Sequence, residues 1–211
     1  MLAAAVQLCI GVVVAPPSGY VIRPFTNQDA LKTATLLHAA FTPPEGERYN
    51  FLQSGLMIAE NTINLRTRAA GGNLMFVCCS EADEAVIGFI ECYTDISGIS
   101  ESTLPERLKA KLQHPYLSSL AVATCSRRLG IGALLMRTVE EALRTAPPVA
   151  SAISLEVEEE NVPALALYEK MGYKVVSRDA AARKLVGDIV FGRSVPCVKV
   201  WLEKTLQPPR R

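Results

Sequence analysis

Histidine is scarce in this sequence, and neither sign of charge is in excess. Only two histidines occur in 211 residues, His38 and His114, and neither lies near a cysteine cluster, so nothing supports a zinc site. Lys and Arg total 22 against 21 for Asp and Glu, which leaves a net charge of +1. No global field therefore attracts nucleic acid or an anionic membrane, although a local basic patch is compatible with these totals.

Paired cysteine motifs are also missing, since none of the six cysteines forms a CxxC pair. The cysteines lie mostly inside apolar runs, which favours reduced core thiols and disfavours an oxidising, extracellular location. With 49% hydrophobic and 20% charged residues, the chain is neither disordered nor fibrous and has enough apolar side chains for a full core. The cysteines are Cys9, Cys78, Cys79, Cys92, Cys125 and Cys197.

The first 22 residues carry no charged side chain. Their apolar run ends at residues 16–19, Pro-Pro-Ser-Gly, and is too short to cross a bilayer. A secretory signal is disfavoured because the segment has no Lys or Arg. We expect an N-terminal extension over residues 1–19, one folded domain over 20–206 and a short tail over 207–211.

Hydrophobic periodicity predicts an alternation of strands and helices. The polar stretch after residue 79 suits a hairpin between two antiparallel strands. We expect strands at 20–24, 74–79, 86–93, 116–123, 153–157, 173–176 and 198–202, and helices at 27–41, 50–68, 105–112, 132–145 and 161–171.

Two of these helices have a clear apolar stripe. In the first, the residues expected on one face are Ala30, Leu31, Ala34, Leu37 and Phe41. In the helix at 132–145, the buried stripe is Leu135, Val139, Ala142 and Leu143, and the outward residues are Arg137, Glu140, Glu141 and Arg144.

A strand, a short polar turn and a glycine-rich helix start follow one another over residues 122–133. The turn reads Arg-Arg-Leu-Gly-Ile-Gly at 127–132, and its glycines allow a ligand to approach the backbone closely. Unpaired N–H groups of the first helical turn favour an anion there, and a diphosphate is the natural ligand. Neither a Walker A nor a GxGxxG pattern is present, and a purely structural strand-to-helix turn explains the same residues.

The next segment reads Leu-Glu-Val at 155–157, then Asn-x-x-Ala-x-x-Leu-Tyr-Glu-x-x-Gly-Tyr at 161–173. Together with the preceding turn, these strings resemble the GNAT superfamily of acetyl-CoA-dependent N-acetyltransferases, and within it the ribosomal-protein alanine acetyltransferases. Residues 115–122 are also similar to cyanobacterial and plastid members. The likeness is strong over 115–176 and implies an α/β (α+β) fold, a twisted mixed sheet of about seven strands flanked by about four helices.

The resemblance implies that the strands at 116–123 and 153–157 run parallel and then splay apart, which leaves a gap for the pantetheine arm of acetyl-CoA. An N–H beside that arm would bind the oxyanion formed at the thioester carbonyl. Asn161 would hydrogen-bond the cofactor, although a plain helix N-cap explains it equally well. No metal is implied. Leu120, Ala121 and Val122 would pair with the arm, and the diphosphate would lie on Arg127, Arg128, Leu129, Gly130, Ile131, Gly132 and Ala133.

Acetyl transfer needs two proton-handling groups, because an amine is mostly ammonium near neutral pH and the departing thiolate is best met by an acid. The resemblance implies that Glu156 is the base and Tyr168 the acid. On a strand Glu156 points away from its apolar neighbours, but Glu158 shares its face and is a rival base. Without the resemblance, Tyr168 fits a core aromatic. Cys125 is interpreted as structural, because family members transfer acetyl directly to the amine.

The sequence therefore predicts an acetyl-CoA-dependent enzyme that acetylates a protein amine, at an N-terminus or a lysine. One alternative is a small amine or polyamine acceptor, for which the Glu run at 158–160 would form an acidic pocket. Another is a non-catalytic acyl-CoA sensor on the same fold. The polar segments 42–50, 94–114 and 177–196 are expected to grip the acceptor, the last as a lid. The expected compartment is the cytoplasm or the plastid stroma, with no nucleic-acid or membrane partner.

Overall fold

In the computed structural model, which describes residues 17–42, 50–94, 115–145, 149–186 and 193–206, the chain forms nine strands and four α-helices. The strands are β1 Tyr20–Pro24, β2 Leu74–Ser80, β3 Val86–Tyr93, β4 Tyr116–Val122, β5 Ala152–Glu158, β6 Lys174–Asp179, β7 Arg183–Val186, β8 Arg193–Pro196 and β9 Lys199–Thr205. The helices are α1 Ala30–Phe41, α2 Phe51–Ala70, α3 Ile131–Thr145 and α4 Val162–Lys170.

The main sheet has seven strands in the order β1-β2-β3-β4-β5-β9-β6, and β7 and β8 form a separate hairpin. Within the described ranges, β4 and β5 are parallel and every other pair of neighbouring strands is antiparallel. The β2–β3 hairpin predicted from the polar stretch after residue 79 is confirmed.

Each face of the sheet carries its own apolar core. One core joins α3 and α4 to side chains of the central strands, among them Leu117, Leu155 and Val157. The other joins α1 and α2 to the opposite face, around Phe89 and Ala121. Gly88 on β3 allows α3 to approach closely, since a Cβ there would lie 3.0 Å from Ile131 Cγ2 and 3.1 Å from Cys78 Cβ.

All seven predicted strands and four of the five predicted helices are present, with ends shifted by a few residues. The expected mixed sheet of about seven strands with about four helices is therefore confirmed. The helix predicted at 105–112 lies outside the described residues, as do residues 1–16 of the extension and the tail at 207–211. None of the described helices combines the length and the apolar character that crossing a lipid bilayer requires.

Several side chains lie where the sequence did not place them. Glu140, predicted to face solvent, is buried, because Lys204 Nζ on β9 lies 2.6 Å from its Oε2 and supplies the opposite charge. Leu31 and Phe41 are exposed although α1 was expected to bury them.

Among the five described cysteines all are free, but Cys125 is exposed and Cys197 is only half-buried, so these two are not core thiols. The polar segment at 177–196 contains the unpredicted strands β7 and β8.

Candidate active site

The gap between β4 and β5 is the central feature of the site. The two strands pair at only two positions, Tyr116 with Ser154 and Leu117 with Leu155, although both strands continue for several residues. On its other edge β4 stays paired with β3, where Ser118 is an extra residue in the register. Such a β-bulge bends a strand, and here it coincides with the point where β4 leaves β5. The expected parallel pairing followed by separation is confirmed.

Backbone groups of Leu120 and Val122 point into this gap. The N–H of Ala123 donates to a carbonyl of β3 at 2.8 Å, and because backbone direction alternates along a strand, the groups of Val122 and Leu120 point away from β3. Arg127 Nε, which donates to Val122 O at 3.3 Å, lies on that outer side. By the same alternation Ala121 turns its backbone groups toward β3.

The segment 127–133, which we call the cradle, contains two residues with left-handed backbone. φ is +67° at Arg128 and +81° at Gly130, and only glycine adopts this region without strain. Left-handed residues between ordinary ones turn successive N–H groups toward one side and form a concavity for anions. α3 begins within the cradle at Ile131, so the unpaired N–H groups of its first turn belong to the same concavity. Gly132 packs toward α4, since a Cβ there would lie 3.4 Å from Leu167 Cδ2.

Glu156 lies beside the gap, on the face of the sheet that α1 and α2 cover. Its neighbours Leu155 and Val157 are buried in the opposite core, so the carboxylate points the other way, as predicted. The side chain is 7% exposed, and its Oε1 lies 2.7 Å from Lys199 Nζ on β9. Trp201 is directly opposite Glu156 on β9. A carboxylate with a cation beside it therefore stands at the edge of the gap.

The rival carboxylate, Glu158, is bound by the β7–β8 hairpin. Its Oε2 forms a hydrogen-bonded ion pair with Lys184 Nζ of β7, and this contact raises the pKa of Lys184. Glu159 accepts two hydrogen bonds from Arg178 of β6, at 2.7 and 2.6 Å, and Arg178 holds the pKa of Glu159 below its usual value. Two of the three glutamates at 158–160 therefore have a cationic partner within the protein.

Tyr168 is buried on the other face of the sheet, in the core beneath α3 and α4. Its ring centroid lies 5.9 Å from that of Tyr173, with the planes tilted by 56°. Burial raises the pKa of Tyr168 to about 12, so the phenol keeps its proton at neutral pH. Glu156 and Tyr168 consequently lie on opposite faces of the sheet.

Asn161 is the N-cap of α4, because its Oδ1 accepts a hydrogen bond from Ala164 N at 3.3 Å. The N-cap hydrogen bond therefore uses the side-chain oxygen of Asn161, and the amide NH₂ can donate a hydrogen bond to a ligand. Cys125 lies in the turn between β4 and the cradle, with Sγ 3.7 Å from Ser126 Oγ. In the described part of the chain no group of three or more His, Cys, Asp or Glu side chains is arranged to hold a metal ion.

An aromatic pair spans the strands on both sides of β5. The rings of Tyr116 and Trp201 stack with centroids 5.6 Å apart and planes within 12°. Tyr116 is the register partner of Ser154, and Trp201 that of Glu156, so the stack covers β5 next to the carboxylate. This aromatic pair was not predictable from the sequence, because the two residues are far apart in the chain and only the strand order brings them together.

A second carboxylate that was not predicted, Glu91, is buried on β3. It is 1% exposed, and its Oε1 accepts a hydrogen bond from Asn73 Nδ2 at 2.9 Å. Arg68 Nε of α2 lies 2.9 Å from the same oxygen. The available signal was one charged residue in an otherwise apolar strand, which indicates a buried partner of opposite charge.

A comparison with protein families matches residues 34–173 to the family described as "Acetyltransferase (GNAT) family". No curated protein sequence matches the chain. Among solved structures, Arabidopsis thaliana NAA60 in complex with acetyl-CoA is 20% identical, with 89% of this chain and 98% of that chain covered and a TM-score of 0.59.

Two further solved structures are similar in fold. Chaetomium thermophilum Naa20 in complex with a bisubstrate analogue is 24% identical, with 88% and 86% of the two chains covered and a TM-score of 0.58. The ribosomal-protein-S18-alanine N-acetyltransferase from Escherichia coli is 17% identical, with 90% and 96% covered and a TM-score of 0.56.

Proposed function

Because this chain belongs to the acetyltransferase (GNAT) family, we propose that it transfers acetyl from acetyl-CoA to an amine of a protein or peptide, at an N-terminus or a lysine. The observation that carries the proposal is the β4–β5 gap with Glu156 on one face of the sheet and Tyr168 on the other. The bound acetyl-CoA of the similar NAA60 and the bisubstrate analogue of the similar Naa20 support the same donor and a two-substrate site.

In this proposal the acetyl-CoA lies along β4. The backbone groups of Leu120 and Val122 that face the gap pair with the amides of the pantetheine arm. The diphosphate lies in the cradle, where backbone N–H groups and the positive end of α3 favour an anion. Arg127 and Arg128 add positive charge at the same place. Asn161 donates its amide NH₂ to the cofactor.

The reaction is a direct transfer in the gap. Glu156 accepts a proton from the acceptor ammonium, directly or through one water, and the freed nitrogen attacks the thioester carbon. An N–H of Leu120 or Val122 binds the oxyanion of the tetrahedral intermediate. When the C–S bond breaks, Tyr168 donates its proton to the departing sulfur, and the second proton lost by the nitrogen returns to the Tyr168 oxygen through water. The products are an amide and the CoA thiol, and Glu156 releases the first proton to solvent. Lys199 holds Glu156 in position through their ion pair.

The charged side chains near Glu156, on the face of the sheet that α1 and α2 cover, fit a peptide acceptor better than a polyamine. The acidic pocket that a polyamine needs is not offered by Glu158 and Glu159, since Lys184 and Arg178 already bind them. The hairpin that carries Lys184 is therefore held over the end of β5, where we place one wall of the acceptor site. The stacked rings of Tyr116 and Trp201 form an apolar wall beside Glu156.

The decisive experiment is an acetyl-transfer assay with peptides of varied N-termini, peptides with internal lysines, and polyamines, with products mapped by mass. We expect peptide products, and the modified atom separates α-amine from lysine transfer. Turnover with polyamines alone would establish the small-amine alternative. Binding of acetyl-CoA with no turnover on any acceptor would instead identify a sensor.

Two matched variants test the base. Glu156→Gln should lower kcat about 100-fold or more, because general-base catalysis contributes roughly that much. Glu158→Gln should change kcat by no more than about threefold, since that carboxylate lies at the end of β5, two residues beyond Glu156, and its loss removes one partly exposed ion pair. The reverse pattern would mean that Glu158 is the base.

We further propose that residues 20–206 form the catalytic domain, with 1–19 as an extension outside it. A reducing compartment, the cytoplasm or the plastid stroma, fits the thiols, since all five described cysteines are free. Imaging of the tagged full chain in leaf and non-plant cells distinguishes these two compartments.

A further inference from the structure

The face of the sheet that carries Glu156, which we call the acceptor face, has two carboxylates at a fixed spacing. Glu156 and Glu158 are two residues apart on β5 and project from the same face, which places their Cα atoms about 6.6 Å apart. This spacing is close to the separation of the two ammonium groups in a short diamine. If both carboxylates were available, a dicationic acceptor would bind one charge at each.

Both carboxylates are paired in the folded protein, Glu156 with Lys199 and Glu158 with Lys184. Glu156 directly follows the last residue pair that joins β4 and β5, so it is the one beside the gap, whereas Glu158 lies at the end of β5 under Lys184. The side chains of Lys184 and Glu158 are 34% and 35% exposed, so solutes can reach them. Their ion pair also raises the pKa of Lys184, and the lysine stays charged at neutral pH. β7 supplies Lys184 from a hairpin with β8, whose backbone pairing holds the lysine in place.

We propose that Lys184 is a specificity-determining residue. Its ammonium occupies the place beside Glu158 that a second positive charge of the acceptor would take, so the site selects acceptors with a single cationic group. Such acceptors are peptide N-termini followed by uncharged side chains. This inference rests on the proposed function and narrows its substrate class.

The test compares two peptides that differ only at the second residue, Ser or Lys, together with spermidine. In Lys184→Met, the ratio of kcat/KM for the Lys peptide to that for the Ser peptide should rise about fivefold, the size expected for one partly exposed ion pair. The double variant K184M/E158Q should return the ratio to the wild-type value. Arg178→Met is the matched control, because it frees Glu159, which follows the end of β5, and should leave the ratio unchanged.

Calorimetric binding of spermidine to the full-length protein gives a readout independent of turnover. We expect K184M to bind spermidine about fivefold more tightly than the wild type, and K184M/E158Q to lose this gain. An unchanged ratio and unchanged spermidine affinity in K184M, or a gain that persists without Glu158, would overturn the inference. A failure of the proposed function would look different from a failure of this inference, because the wild type would then show no acetyl transfer. The spermidine affinities would still decide the role of Lys184 in that case.

Discussion

Leu117 on β4 and Leu155 on β5 form the last pair of residues that joins these two strands. The very next residue of β4, Ser118, is the bulge, and the very next residue of β5 is Glu156. The place where the sheet opens and the place of the carboxylate are thus fixed by the same register. A one-residue slip of β5 would turn Glu156 into the core and move Leu155 to the acceptor face.

Replacement of Tyr168 by Phe should separate catalysis from binding. The ring and its packing on Tyr173 are kept, so acetyl-CoA affinity should remain within about twofold of the wild type. Loss of the proton donor should lower kcat about 100-fold, the usual contribution of a general acid. Steady-state kinetics and calorimetry measure the two quantities, and an unchanged kcat would remove Tyr168 from the mechanism.

The raised pKa of Tyr168 also predicts a loss of stability at alkaline pH. Its pKa is about 12 in the fold and 10 as an ordinary tyrosine. Below pH 10 both states are protonated, but above it the unfolded chain loses the proton first, so the free energy of unfolding falls as pH rises toward 12. The loss from this residue is about 2–3 kcal/mol. Denaturant titrations from pH 9 to 12 should show a shallower decline in Tyr168→Phe, and an identical decline would contradict the assignment.

Much of this site follows from local sequence, and the rest depends on strand order. The cradle and the Glu156 strand were predictable because glycine spacing and the alternation of side chains act within a few residues. Burial of Glu140 was not predictable, because its cationic partner Lys204 is distant in the chain. For Glu91 the apolar strand signals burial, but not that Arg68 is the partner. The β7–β8 hairpin was missed because its strands have only four residues each and lie outside the main sheet.

Of the two glycines of the cradle, Gly130 should be the one at which substitution by alanine weakens acetyl-CoA binding more. Its φ is +81°, and a Cβ there would meet no atom within 4 Å, so the cost of Gly130→Ala is backbone strain alone, about 1–2 kcal/mol. We expect the turn to relieve that strain by shifting, which weakens acetyl-CoA binding about tenfold. Gly132→Ala is the control, because its Cβ makes an ordinary contact with Leu167. Equal losses of affinity in the two variants, measured by calorimetry, would show that φ at Gly130 does not shape the cradle.

The Arg68–Glu91 pair should hold α2 on the sheet. Replacing Arg68 should destabilise the fold more than replacing Glu91. Arg68→Met leaves a buried carboxylate with Asn73 as its remaining described partner, and should lower the free energy of unfolding by about 3 kcal/mol. Glu91→Gln alone should cost less, because the amide keeps the hydrogen bond to Asn73 and the cation beside it is partly exposed.

The double variant R68M/E91Q tests the origin of that cost. If it comes from an unpaired buried charge, the double variant is more stable than Arg68→Met, since the neutral amide that replaces the carboxylate needs no counter-ion. Chemical denaturation of the four proteins measures the coupling. Strictly additive losses would mean that Arg68 contributes through its packing, and α2 would then be held over the acceptor face by apolar contacts such as those of Leu65 rather than by charge.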